Sequence, residues 1–161
     1  MKTLLKEFRS KATSVGSLGF YSWDPEGGGF RDKNIPNNIM ESLIYLLYTE
    51  DEDIQKVGRS DSLKGLEGRF SGYGWRSKAR TADDKTHRLF HKVMGDELRG
   101  KEIFYMAFGL THMTNQSVEC PILNMQFKLQ PSPSDYETEM CIKAHKEGNS
   151  MLLTGSTTKK E

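Results

Sequence analysis

Two stretches decide how the fold reads: Leu123-Asn124-Met125-Gln126-Phe127-Lys128-Leu129-Gln130 and Tyr136-Glu137-Thr138-Glu139-Met140-Cys141-Ile142-Lys143-Ala144-His145. In the first, Leu123, Met125, Phe127 and Leu129 alternate with polar residues. In the second, Tyr136, Thr138, Met140, Ile142 and Ala144 alternate with Glu137, Glu139, Cys141, Lys143 and His145. A period of two sends successive side chains to opposite faces of a strand, so the pattern predicts two half-buried antiparallel strands. Gln130-Pro131-Ser132-Pro133-Ser134-Asp135 reads as the loop between them, and Gly148-Asn149 as a turn toward a third short strand at residues 151–154.

Upstream, the spacing points to helices. Residues 37–49 carry Ile39, Met40, Leu43, Ile44, Leu46 and Leu47 behind Asn37 and Asn38, side chains suited to an N-cap, and predict a helix with a wide apolar face. A second helix is expected from Asp83 and Asp84 through His87, Leu89, Phe90, His91, Val93 and Met94. Residues 103–110, Ile-Phe-Tyr-Met-Ala-Phe-Gly-Leu, are apolar throughout and fit either a buried strand or a helix. The expected class is therefore α+β, a small antiparallel sheet from the C-terminal third packed with two or three helices. Residues 12–36, with five glycines and two prolines, read as a linker. The expected organisation is a flexible basic and aromatic N-terminal arm over 1–36, one globular domain over 37–154 and a disordered tail over 155–161.

Composition narrows the class of function. The 161 residues hold 23 basic and 22 acidic side chains, 28% charged against 35% hydrophobic. That balance excludes a bulk polycation and a highly charged disordered chain. Charge is nevertheless segregated along the chain. Basic against acidic residues number four to one over 1–11, two to eight over 12–55, ten to four over 56–92 and seven to nine over 93–161, net +3, −6, +6 and −2. Such a chain can present faces of both signs, which recruit partners of opposite charge or further copies of itself. Cys120 and Cys141 are too few for a disulfide framework and point to a reducing compartment. The opening residues lack the apolar core of a signal peptide, no 18-residue apolar run is present, and Asn115-Gln116-Ser117 reads as a chance glycosylation pattern.

Four segments are candidates for contact with partners. In residues 1–11, Leu4, Leu5 and Phe8 fall at helical spacing among Lys2, Lys6, Arg9 and Lys11, a pattern suited to an anionic membrane surface or to a soluble basic terminus. Phe20, Tyr21, Trp23 and Pro25 form an aromatic cluster between glycines that either inserts into a partner or tucks back onto the domain. Glu50-Asp51-Glu52-Asp53 reads as a solubilising run or a site for a basic partner, without the spacing of a calcium loop. Residues 56–92 interleave glycines and aromatics with Arg69, Arg76, Lys78, Arg80, Lys85 and Arg88. Such a segment suits phosphate groups or single-stranded RNA, or is an exposed surface loop, and no Walker loop is present.

Catalytic signatures are missing from this pattern. His87 and His91 stand four apart, but Arg88 occupies the place where a zinc protease needs glutamate, so the pair reads as structural or partner-facing, with no metal and no cofactor expected. Cys120 precedes Pro121 at the mouth of an expected strand and Cys141 lies within one, and neither context suggests an activated thiol. The chain is therefore expected to be non-enzymatic.

Met1-Lys2-Thr3-Leu4-Leu5-Lys6, with Arg9 and Lys11 and then Trp23-Asp24-Pro25, resembles the N-terminus of rhabdovirus matrix proteins, a short basic-apolar segment and a Trp/Pro-containing arm before an α+β domain. The late-domain motif Pro-Pro-x-Tyr of that family is absent, Pro133-Ser134-Asp135-Tyr136 being the nearest string. The resemblance implies a virion protein that self-associates, binds the inner face of an anionic membrane and condenses a ribonucleoprotein, found in the virion and host cytoplasm. On that reading residues 15–25 dock on a neighbouring copy and the basic residues 56–92 meet the nucleocapsid. The alternative reading is a nucleic-acid-binding module or viral accessory factor acting through residues 56–92.

Overall fold

The computed structural model describes residues 3–25, 27–61, 63–73, 76–77, 85–110, 116–120, 125–129 and 132–154. The elements run α1 (Thr3–Lys11), β1 (Ser14–Asp24), β2 (Gly27–Phe30), β3 (Leu43–Tyr48), β4 (Ile54–Ser60), α2 (Gly65–Ser71), β5 (Arg76–Ser77), α3 (Lys85–Gly95), β6 (Glu102–Gly109), β7 (Gln116–Cys120), β8 (Met125–Leu129) and α4 (Pro133–Lys146). Six strands form one sheet in the order β4-β3-β6-β1-β2-β5, every neighbouring pair antiparallel, while β7 and β8 pair as a separate ribbon. The class is α+β, as the sequence implies.

The sheet is built from different segments than the periodicity suggests. Residues 37–49 do not form a helix. They carry β3, Leu-Ile-Tyr-Leu-Leu-Tyr, buried at every position. The strand lies between β4 and β6 and is covered on both sides. Leu43, Tyr45 and Leu47 join α2 and α3 in one core, and Ile44, Leu46 and Tyr48 join α1 and α4 in the other. With both faces apolar, alternation vanishes and a six-residue run mimics a helix segment. Residues 103–110 resolve to a strand, β6, for the same reason: Ile103, Tyr105 and Ala107 face the first core, Met106 and Phe108 the second.

The opposite error occurs at residues 136–145. They are not a strand but most of α4, and Ser132–Asp135 of the loop expected before them are its N-terminus, Gln130 and Pro131 lying outside the described residues. Ser132 Oγ accepts from the Asp135 N–H (3.2 Å), the Asp135 carboxylate accepts from the Ser132 N–H (2.8 Å), and Pro133 occupies the first turn. This reciprocal cap satisfies donors that a helix start otherwise leaves open. Tyr136, Met140, Cys141 and Ala144 then fall on one helical face against the second core.

The N-terminal arm is likewise part of the domain. Residues expected as a linker supply β1 and β2, and β1 joins the sheet beside β6 with a bulge between Ser17 and Gly19. The helix expected from Asp83 and Asp84 through Met94 agrees with α3, and the strand expected over 123–130 with β8, although Asp83, Asp84, Leu123, Asn124 and Gln130 lie outside the described residues. Residues 151–154 form no strand, although the Met151 and Leu153 N–H groups donate to the Ile54 and Gln55 carbonyls of β4 at 3.0 Å each. Buried Asn149 ties the same corner together, accepting from the Ile54 N–H (3.0 Å) and donating to the Ala144 carbonyl (2.9 Å). Residues 155–161 lie outside the described residues.

Candidate interaction surfaces

The α1 segment is a helix, as its spacing suggests, but its apolar side is not available to a membrane. Leu4, Leu5 and Phe8 are buried in the second core, where the Phe8 ring lies 4.8 Å from Phe108 between centroids. Burying such side chains contributes about 1.5–3 kcal/mol each, so withdrawing them into lipid would cost the protein its own packing. Glu147 accepts from the Leu4 N–H and Lys143 bridges Glu7 at 2.6 Å, fastening α1 to α4. Lys6, Arg9 and Lys11 remain exposed. Lys2 lies outside the described residues.

The aromatic cluster splits between the two faces of the sheet. Tyr21 and Trp23 turn toward α3: the indole N–H donates to the His91 carbonyl (2.9 Å), the indole stacks on the His91 ring at 5.0 Å, and Tyr21 O–H meets His91 Nδ1 at 3.3 Å. Burial, with Asp24 nearby, pushes the Tyr21 phenol above its ordinary pKa. This half of the cluster packs within the molecule, although Trp23 remains 42% exposed. Phe20 points the other way. It pairs in register with Glu102, as Val15 pairs with Met106, and cross-strand partners share a face. Phe20 and Val15 therefore lie on the α1 and α4 side of the sheet, yet remain 57% and 48% exposed. Pro25 is also exposed.

Phe20 forms one wall of a cleft of about 610 Å³ completed by Thr49, Glu50, Asp51, Gly100, Lys101 and Glu102. The acidic run is thus the turn between β3 and β4, not the end of a helix. Its carboxylates also shape the turn. Asp51 accepts from Thr49 Oγ1, and Asp53 accepts from the Ser150 N–H (2.8 Å) and the Gln55 amide (2.9 Å). Across the cleft Glu102 accepts from Ser17 Oγ at 2.8 Å.

The basic candidates do not gather in one loop. Arg69 is an internal residue of α2: its Nε donates to Tyr45 O–H (3.1 Å), and its guanidinium lies 5.9 and 5.5 Å from the Tyr45 and Tyr73 ring centres. Burial opposes its charge, but the two tyrosines outweigh that and hold its pKa above the ordinary arginine value. Arg76 lies in β5, and Lys78 and Arg80 lie outside the described residues. Lys85 and Arg88 are exposed on α3, where Lys92, missed from sequence, extends them along one side at i, i+3 and i+7. The repeat is legible in the sequence once residues 85–95 form a helix.

His87 is 2% exposed, and neither ring nitrogen has a hydrogen-bond partner. His91 is occupied by Trp23 and Tyr21. Among the described residues no three metal-ligating side chains converge. Cys141 is buried, and burial first, then Glu137, pushes its thiol up to about 11. At neutral pH that thiol is protonated. No described helix is long and apolar enough to cross a membrane. No protein-family model matches the chain, and neither the curated proteins nor the solved structures contain a match to it.

Proposed function

We propose that the chain is a non-enzymatic structural protein that self-associates at an anionic surface, in keeping with the matrix-type resemblance of its first 25 residues. The observation that carries this reading is the exposure of Phe20 and Val15 on the side of the sheet where α1 and α4 bury their own apolar residues. A large aromatic beside a cleft is the kind of anchor on which interfaces concentrate their binding energy. Contact with anionic lipid or ribonucleoprotein is assigned to the exposed Lys6, Arg9 and Lys11 of α1. It is electrostatic rather than insertional, because the apolar side of α1 is occupied. Light scattering of the full chain over a wide concentration range tests the reading. The weight-average mass is expected to rise with concentration, and a mass fixed at the monomer value throughout contradicts it.

A further inference from the structure

Two surfaces of opposite charge, one beside Phe20 and one on α3, lie on opposite sides of the sheet. Of the cleft lined by Phe20, Glu50, Asp51, Glu102 and Lys101, Phe20 and Glu102 lie on the α1 and α4 side, because they pair in register and Glu102 shares a face with Phe104 and Met106. The Lys85, Arg88 and Lys92 stripe lies along the outside of α3, whose inner side, with Phe90, Val93 and Met94, packs against the other face. Three carboxylates against one lysine leave the cleft acidic. The stripe is basic throughout.

We infer that the basic stripe of α3 on one copy docks in the Phe20 cleft of the next, so that copies join head to tail. This inference rests on the self-association proposed above and adds the identity and polarity of the contact. Charge complementarity selects the occupant: a lysine or arginine places its ammonium or guanidinium on Glu50, Asp51 and Glu102 and its aliphatic stem across the Phe20 ring. Because the two patches differ and lie on opposite sides, the contact is heterologous. Such a contact propagates an open chain of copies unless its rotation closes a ring, whereas an isologous dimer would stop at two.

Two charge-reversed variants of the full chain test this. One carries Glu50→Lys with Glu102→Lys, the other Lys85→Glu with Lys92→Glu, each sedimented alone and as an equimolar mixture. Each alone is expected to associate about tenfold or more weakly than wild type, because its two docking patches then carry the same sign. The mixture is expected to regain association, since each reversed cleft meets a reversed stripe. Variants that associate like wild type, or a mixture that stays as weak as its components, overturn the head-to-tail contact while leaving self-association standing. A wild type that never associates removes both readings together. Should a reversed variant fail to fold, the salt dependence of the wild type decides: association weakening steadily with ionic strength supports the contact, and a salt-independent constant overturns it.

Discussion

The indole of Trp23 fills space that a side chain on α3 would otherwise take. A Cβ added at Gly95 would come within 2.5 Å of its Nε1, so glycine at that position is a packing requirement. Together with the bond to the His91 carbonyl, this makes Trp23 a clamp between β1 and α3. Trp23→Ala is expected to lower stability by about 1–3 kcal/mol, read from denaturant unfolding, and to leave self-association of the folded protein unchanged. Loss of association without loss of stability would return Trp23 to the interface. Nothing in the string Phe20-Tyr21-Ser22-Trp23 separates these roles until the strand is known. Once β1 is a strand, the bulge between Ser17 and Gly19 sets which aromatic faces which core.

At the scale of elements, α4 and β3 show why periodicity misleads in both directions. The apolar residues of α4 sit at 136, 140, 141 and 144, a helical set hidden within an apparent alternation, and the deciding signal is Ser132-Pro133-Ser134-Asp135 as a capping box. Ser132→Ala is expected to cost about 1 kcal/mol in unfolding free energy. Bonds from the Ser132 backbone, then its side chain, hold the Asp135 carboxyl below its ordinary pKa. A depressed carboxyl stabilises the fold above its unfolded pKa and loses that contribution as pH falls through the folded value. The stability of wild type should therefore fall more steeply on acidification than that of Asp135→Asn, and identical acid limbs would contradict the cap. For α1, Lys6, Arg9 and Lys11 to alanine should weaken flotation with anionic vesicles at low salt by about 1 kcal/mol per residue while melting is preserved. Leu5→Ala should instead destabilise the fold by about 2–5 kcal/mol. Vesicle binding unaffected by the three alanines would remove α1 from the anionic contact.

For the whole molecule, the charge blocks along the chain become surfaces in space. The −6 block holds the turn between β3 and β4, the +6 block holds α3, and the sheet stands between the cleft and the basic stripe. The segregation and the α+β class were legible in sequence, as were α1, α3 and β8. The central strands were not, because a strand covered on both faces has no polar alternate, and the glycines of residues 12–36 disguised β1 and β2 as a linker. Val15 and Glu102 became candidates only through the β1–β6 register. The central claim, that copies associate through the open face of β1, is tested most directly by sedimentation velocity of Phe20→Ser beside wild type, with thermal unfolding recorded on the same samples. The account predicts a concentration-dependent rise in sedimentation coefficient for wild type and a monomeric, equally stable Phe20→Ser. A variant that associates as strongly as wild type would contradict it.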